Sequence, residues 1–279
     1  MRIRHTLIMA AGRGLRMGPL TDVIPKPMAP YLDSTLIGKG IQKLRPAIER
    51  VHVTVGYKGA MLAQHLIERG VDSVFNTEGH GNAWWLANTL MAVIDEPVFV
   101  LTCDNVTDID FASLEEDYFA AGAPPCLMVP VRPVEGVLGD FITHDEEDQV
   151  VTKLSRDEAT ALYASGIQIV NPVRVNELCG GGVGGGDAIE TFYDVWRPLM
   201  EKRLVPSGIR PLPWVARMAW HRLVLPDRQY LHLRHSGVYS GITWSPTLTL
   251  VTPAPISSTI PPPSCPSMEG KIPSGSAPD

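Results

Sequence analysis

The chain contains no CxxC pair, and its four cysteines, Cys103, Cys126, Cys179 and Cys265, stand far apart with no histidine spacing suited to zinc. Neither a disulfide framework nor a metal finger is implied, and reduced thiols in a cytoplasm are the plain reading. Long apolar runs are missing as well. The N-terminal "MRIRHTLIMAAGRG" has a short apolar stretch before glycine and charge, too brief for a secretory signal core and far too brief to span a bilayer. Nor is there an excess of positive charge: 24 Lys and Arg against 30 Asp and Glu leave a formal charge of -6. That balance argues against duplex nucleic acid or an anionic membrane as main partner, since both demand a large basic surplus. The expectation is a soluble cytoplasmic protein, without nucleic-acid or membrane partners, that holds any anion by a local positive site.

What is present is an alternation of two periods. At 279 residues and 44% hydrophobic, the chain can bury one large core, with or without an appendage. "RHTLIM", "VHVTVGY", "VDSVFN" and "VFVLTCDN" read as strands. Between them "STLIGKGIQKLRPAIER", "GAMLAQHLIERG" (stopped by Gly70) and "NAWWLANTLMAVI" read as helices. Strand and helix taking turns predict an α/β fold, a doubly wound and mostly parallel sheet with helices on both faces. Ligands in such sheets bind where the carboxyl ends of the strands open into loops.

Further along, "CLMVPVRPV", "GDFITHD", "QVVTKLS" and "ALYASGIQIVNP" read as strands and "DAIETFYDVWRPLMEKR" as a helix. The "CGGGVGGG" run from Cys179 to Gly186 reads as a flexible connection rather than a phosphate loop, because no lysine or serine closes it and no buried strand precedes it. Past Val205 the composition breaks: Asp227, Glu269 and Asp279 are the acids that remain, and no lysine occurs between Lys202 and Lys271. The last stretch, rich in Pro, Ser and Thr, carries too little apolar side chain to offset ordering entropy. We therefore expect a folded domain over 1–216 and an atypical, disordered tail over 217–279.

The most informative stretch is "LIMAAGRGLRMGPLTDVIPKPMAP", Leu7 to Pro30. After a strand ending near Met9, the small residues Ala10, Ala11 and Gly12 let backbone approach a flat or anionic ligand. Gly14 allows positive φ, and the amides can point at phosphate oxygens. Arg13, Arg16 and Lys26 add positive charge to the same loop, and Pro25 and Pro27 stiffen the backbone around Lys26. A dinucleotide fingerprint is a poor fit, since its third glycine would fall on Met17.

These residues resemble the signature of the sugar-nucleotidyltransferase family, the nucleoside-diphosphate-sugar pyrophosphorylases, in which A-A/G-G-x-G-T-R-M/L-x-P-L-T precedes P-K-P. The likeness continues through "VHVTVGYKGAMLAQHL", Gly81-Asn82-Ala83, the strand end at Asp104, and Ser165-Gly166-Ile167. It implies a Rossmann-like nucleotidyltransferase core and transfer of a nucleotidyl group from an NTP to a sugar 1-phosphate, with release of pyrophosphate. The acceptor's own phosphate oxygen attacks, so no protein nucleophile is needed.

By the same resemblance Ala10, Ala11, Gly12, Arg13 and Gly14 would cradle the nucleotide, Arg16 would bind departing pyrophosphate, and Lys26 would hold the reacting phosphates. Asp104 would hold Mg²⁺ as catalytic metal ligand. Asn76, Gly81 and Asn82 would be nucleotide contacts, unless the asparagines only cap and turn the backbone; Gly139, Asp140, Ser165 and Gly166 would be acceptor contacts. Trp84 or Trp85 can stack on a ring or enclose a cation, or one of them is core. His80 reads as exposed rather than catalytic, Asp110 as the cap of the helix that follows it.

Two departures stand out. Leu15 takes the place of a Thr or Ser, and "PLPWVARMAWHRL" has Ala216 and Arg217 where relatives place a second metal-binding Asp after a tryptophan. With the composition break beside it, this suggests a reading frame altered near Ala216, with Asp194 as a weak substitute carboxylate. Two alternatives stand beside the sugar-phosphate reading: a cytidylyltransferase acting on phosphocholine, a phosphonate or another small phosphate, which the "NAWW" aromatics and "CDN" would suit, and a non-catalytic nucleotide-binding regulatory homologue that lacks the second metal ligand.

Overall fold

The computed structural model describes residues 2–133, 139–179 and 190–208, and the backbone of Arg222–Val224 and Tyr230–His232. Strand β1 (His5–Met9) leads through a 3-10 turn at Leu15–Met17 to helix α1 (Pro19–Val23). A second 3-10 turn, Lys26–Met28, precedes a small hairpin of β2 (Pro30–Tyr31) and β3 (Ser34–Thr35). Then α2 (Leu36–Leu44), β4 (Arg50–Val55), α3 (Gly59–Ile67), β5 (Ser73–Asn76), α4 (Trp85–Asn88), β6 (Val98–Thr102) and α5 (Phe111–Ala120) alternate as expected. The second half adds β7 (Cys126–Val131), β8 (Phe141–His144), β9 (Val151–Ser155), β10 (Tyr163–Val170), α6 (Pro172–Leu178) and α7 (Arg197–Glu201). In the tail, where no regular structure was expected, β11 (Arg222–Val224) pairs antiparallel with β12 (Tyr230–His232). The boundary at Ala216 and residues 180–189 of the glycine-rich connection lie outside the described residues.

The main sheet runs β5-β4-β1-β6-β10-β8-β9, with β7 also on β10. The first four strands are parallel and the remainder antiparallel, so the sheet is mixed. Register decides where ligands can gather. Met9 lies opposite both Thr54 of β4 and Thr102 of β6, so the loops after β1, β4 and β6 leave the sheet at one level and meet at its carboxyl edge.

Alternation along these strands builds two cores. Ile8, Val51, Val53, Val55, Phe99 and Leu101 pack with α2, α3 and α5 on one face, while Leu7, Val98 and Val100 pack with α4, α6 and α7 on the other. Helices therefore cover both faces. No helix among the described residues is long and apolar enough to cross a membrane.

Two expected helices are interrupted. "NAWWLANTLMAVI" breaks after Asn88 because Thr89 is extended (φ -127, ψ 179). Its hydroxyl donates to the Trp85 carbonyl and accepts from the Met91 amide, an alternative to the helical ladder. In the helix containing "TFYDVW", Thr191–Trp196 takes π geometry before α7. Pro198 cannot donate to the carbonyl four residues back, which favours a widened turn.

The amino edge of the sheet carries a titratable pair. His5 Nδ1 and His52 Nε2 lie 3.0 Å apart, and His5 Nε2 is 3.8 Å from Glu96. Burial first, and then the neighbouring His5, push His52 down to about 4 from its ordinary 6.5. The unfolded chain therefore binds a proton that the fold does not accept between those values, and stability declines as pH falls from about 6.5 towards 4. Urea midpoints should fall between pH 7 and pH 5 in the wild type and fall less in His52→Gln. Equal slopes in the two proteins would remove His52 as the cause.

Candidate active site

The loop after β1 is shaped around one lysine. Gly14 has φ +70, and a Cβ built there would stand 2.7 Å from Cβ of Lys26. Glycine is thus required twice, by the left-handed backbone and by the lysine side chain lying against it. The prolines flanking Lys26 act as expected: Pro25 is extended (φ -67, ψ 147), and Pro27 is buried. The Met28 amide donates to the Pro25 carbonyl at 2.9 Å. Lys26 Nζ then reaches Asp104 Oδ2 at 2.8 Å, with side-chain exposures of 23% and 24%. The ion pair joins residues 78 apart in sequence and puts the end of β6 against the glycine loop.

Cys103, beside Asp104, is buried; burial first, and then the Asp104 charge, push its thiol up to about 12. It stays a thiol at neutral pH and offers no nucleophile.

The loop after β4 supplies a wall that the residue types alone did not single out. The Tyr57 amide donates to the Ala11 carbonyl at 3.0 Å. A Cβ on Gly56 would meet that carbonyl oxygen at 2.8 Å, so glycine lets the two loops touch. The Thr54 hydroxyl accepts from the Ala10 amide at 3.2 Å. The Arg13 guanidinium lies 5.0 Å from the Tyr57 ring centroid and its Nη2 is 3.0 Å from Asp22 Oδ1. Lys58, at φ +52, puts its Nζ 5.7 Å from the same ring. The available signal was an aromatic between Gly56 and Lys58 at the end of a strand adjacent to β1. Leu15, which replaces a hydroxyl residue, is 72% exposed. Of Arg16 the backbone lies in the 3-10 turn, and its side chain falls outside the described structure.

The remaining candidates divide. Asn76 ends β5 and its Oδ1 accepts from the Glu78 amide. Asn82, beside Gly81, accepts from both the amide and the hydroxyl of Thr191, at 2.7 and 2.8 Å, and so ties the loop before α4 to the start of the π turn. Trp85 is core at 2% exposure. Trp84 stacks on His80 with centroids 4.1 Å apart, which makes His80 a half-buried ring partner rather than an exposed side chain.

Gly139 lies against the Tyr163 ring, and Asp140 accepts from Arg156 at 3.0 Å. Ser165 is 3% exposed; its hydroxyl donates to the Val129 carbonyl and accepts from the Ile167 amide. That hydroxyl knits β10 to β7, and Gly166 sits in the register shift of the same pairing. Asp110 caps α5 through the Ser113 amide, Asp108 pairs with Lys43, and Asp194 accepts from the Glu190 amide.

Residues 6–129 match the model of the MobA-like NTP transferase domain, which spans β1 to β7 and includes Lys26, Tyr57 and Asp104. This stretch is similar to that domain family. The chain is 26% identical over 179 residues to the mannose-1-phosphate guanylyltransferase catalytic subunit beta of Drosophila melanogaster, covering 60% of this chain and 48% of that protein. It is 32% identical over 114 residues to the N-acetylmuramate alpha-1-phosphate uridylyltransferase of Neisseria meningitidis, covering 38% of this chain and 49% of that protein. The chain thus spans about half the length of these two curated relatives. In fold, it is similar to the crystal structure of HddC from Yersinia pseudotuberculosis, with a TM-score of 0.60, 17% identity, and coverage of 74% of this chain and 89% of that one.

Proposed function

We propose that the transferase domain moves a nucleotidyl group from an NTP to the phosphate of a sugar 1-phosphate. An acceptor phosphate oxygen forms a bond to the α-phosphorus, the bond from that phosphorus to the β-phosphate bridging oxygen breaks, and pyrophosphate leaves. The single observation that carries this reading is the Lys26–Asp104 pair at 2.8 Å, wedged against Gly14. It places one cation and one carboxylate beside a loop of small residues whose amides can face phosphate, which is what a reaction run by positioning and charge neutralisation needs. The relatives' names, both sugar-phosphate nucleotidyltransferases, support the substrate class. Arg16 takes the pyrophosphate role by resemblance.

Mg²⁺ fits this arrangement. Among the described residues no group of three or more His, Cys, Asp or Glu side chains could cage a metal. A single carboxylate at a strand end, here also paired with Lys26, suits an ion that brings phosphate and water as its other ligands. Asp104 would hold it, and bound there it would neutralise phosphate charge. Lys26 then does the chain's own part, holding phosphate oxygens by charge while the glycine loop fixes the lysine's position.

The test is pyrophosphate release with Mg²⁺, each of the common NTPs, and a panel of sugar 1-phosphates with phosphocholine and a phosphonate beside them. Release with a sugar 1-phosphate is the expected outcome. Turnover confined to phosphocholine or the phosphonate would move the acceptor class, and NTP binding without turnover would favour a regulatory role.

A further inference from the structure

We infer that Asp22 is a placeholder for phosphate: it occupies the edge of the Arg13 guanidinium and yields it to a polyphosphate, so that Asp22 tunes how tightly the loop holds its nucleotide. This rests on the nucleotidyl-transfer reading above.

Two cations of the loop, Lys26 and Arg13, are held in different ways. Lys26 is about three-quarters covered, braced by two prolines and packed on Gly14, and its carboxylate partner comes from β6. Arg13 and Asp22, in contrast, are 50% and 64% exposed. An ion pair that open to water is weak and readily exchanged. Asp22 itself belongs to the short α1, nine residues on from Arg13.

What holds Arg13 in place is the ring beneath it. The guanidinium lies over Tyr57 at 5.0 Å, and Tyr57 is anchored through its amide to the Ala11 carbonyl at 3.0 Å. A face resting on an aromatic ring leaves the edge donors for an oxygen acceptor, and a phosphate matches that fork as well as a carboxylate does. Tyr57 thus keeps the guanidinium over the loop whichever anion takes its edge. Asp22 has a second effect through its charge, which opposes any polyphosphate brought to the same place.

The alternative role, a staple that stiffens the loop, predicts the opposite sign. If Asp22 only staples, removing its charge loosens Arg13 and weakens nucleotide binding; if it is a placeholder, removing it tightens binding. Calorimetric titration of GTP, UTP, CTP and inorganic tripolyphosphate into the full-length wild type, Asp22→Asn, Tyr57→Ala and Asp148→Asn separates them. Asp148 serves as control, since it pairs with Arg203 away from the loop.

Asp22→Asn should bind the preferred nucleotide about threefold to fivefold more tightly at low salt, and tripolyphosphate by a similar factor. The gain should shrink at high salt. Tyr57→Ala should bind both more weakly, and Asp148→Asn should match the wild type. Unchanged or weaker binding in Asp22→Asn overturns the inference alone, as does a gain for nucleotide without one for tripolyphosphate. A wild type that binds no nucleotide overturns both this inference and the function on which it rests.

Discussion

Lys26→Ala is expected to lower kcat by about a thousandfold, the scale on which removing one preorganised charge from a transition state is felt. Asp104→Ala should cost a similar factor. The two side chains meet at 2.8 Å and act on the same phosphates, so the double variant should lose far less than the product of the single losses. Stopped-flow or coupled detection of pyrophosphate, with substrate titrated in each variant, gives kcat and KM separately. Far-UV circular dichroism and the thermal midpoint should show an intact fold, because both side chains lie at the carboxyl edge of the sheet, outside its two apolar cores. Rates within a few-fold of wild type in either single variant would reject that residue's role. Losses that multiply would show that the two act independently, and the pair would then be no more than a structural contact.

The parallel half of the fold was legible because its periods are clean. Val51, Val53 and Val55 alternate with His52 and Thr54, and Gly70 stops the helix that follows, whereas the helix before, expected to run through Arg50, ends at Leu44. The lysine and the aspartate could each be singled out, one from its flanking prolines and the other from its strand end. Their contact could not, since it depends on β1 and β6 sharing a register that puts Met9 opposite Thr102.

Tyr57 escaped for a related reason. An aromatic after a strand is common, and its standing beneath Arg13 follows from β4 being the other neighbour of β1. Ser165 and Asn82 show the converse. Both are polar residues in segments that resemble known signatures, yet the hydroxyl of one bonds to the backbone of β7 and β10, and the amide oxygen of the other accepts from Thr191. Residue type signals that a group can bind a ligand; only packing tells whether its polar atoms are already engaged. The break at Thr89 has the same origin, in local hydrogen bonds that periodicity does not register.

Gly14→Ala should lower kcat by about a hundredfold while reducing stability only modestly. Two separate costs meet at this residue. The backbone sits at φ +70, where an L side chain costs about 1–2 kcal/mol, an amount the protein can pay by shifting the loop. The added Cβ would also stand 2.7 Å from Cβ and 3.0 Å from Cδ of Lys26, so the lysine stem must move. The backbone is restrained by the flanking Pro25 and Pro27 and the side chain's end is held by Asp104, so a displacement at the root carries through to Nζ. A shift of about 1 Å in a reacting group can cost roughly a hundredfold in rate. A Gly18→Ala control separates the two costs: Gly18 (φ 55, ψ -134) is more strained for an L residue than Gly14 (φ 70, ψ 43), but a Cβ there meets nothing within 4 Å. If backbone strain were the whole effect, Gly18→Ala should lose at least as much activity and stability as Gly14→Ala. If the packing of Gly14 on Lys26 is what matters, Gly18→Ala should lose stability with much less loss of rate, and the kcat deficit should appear in Gly14→Ala alone.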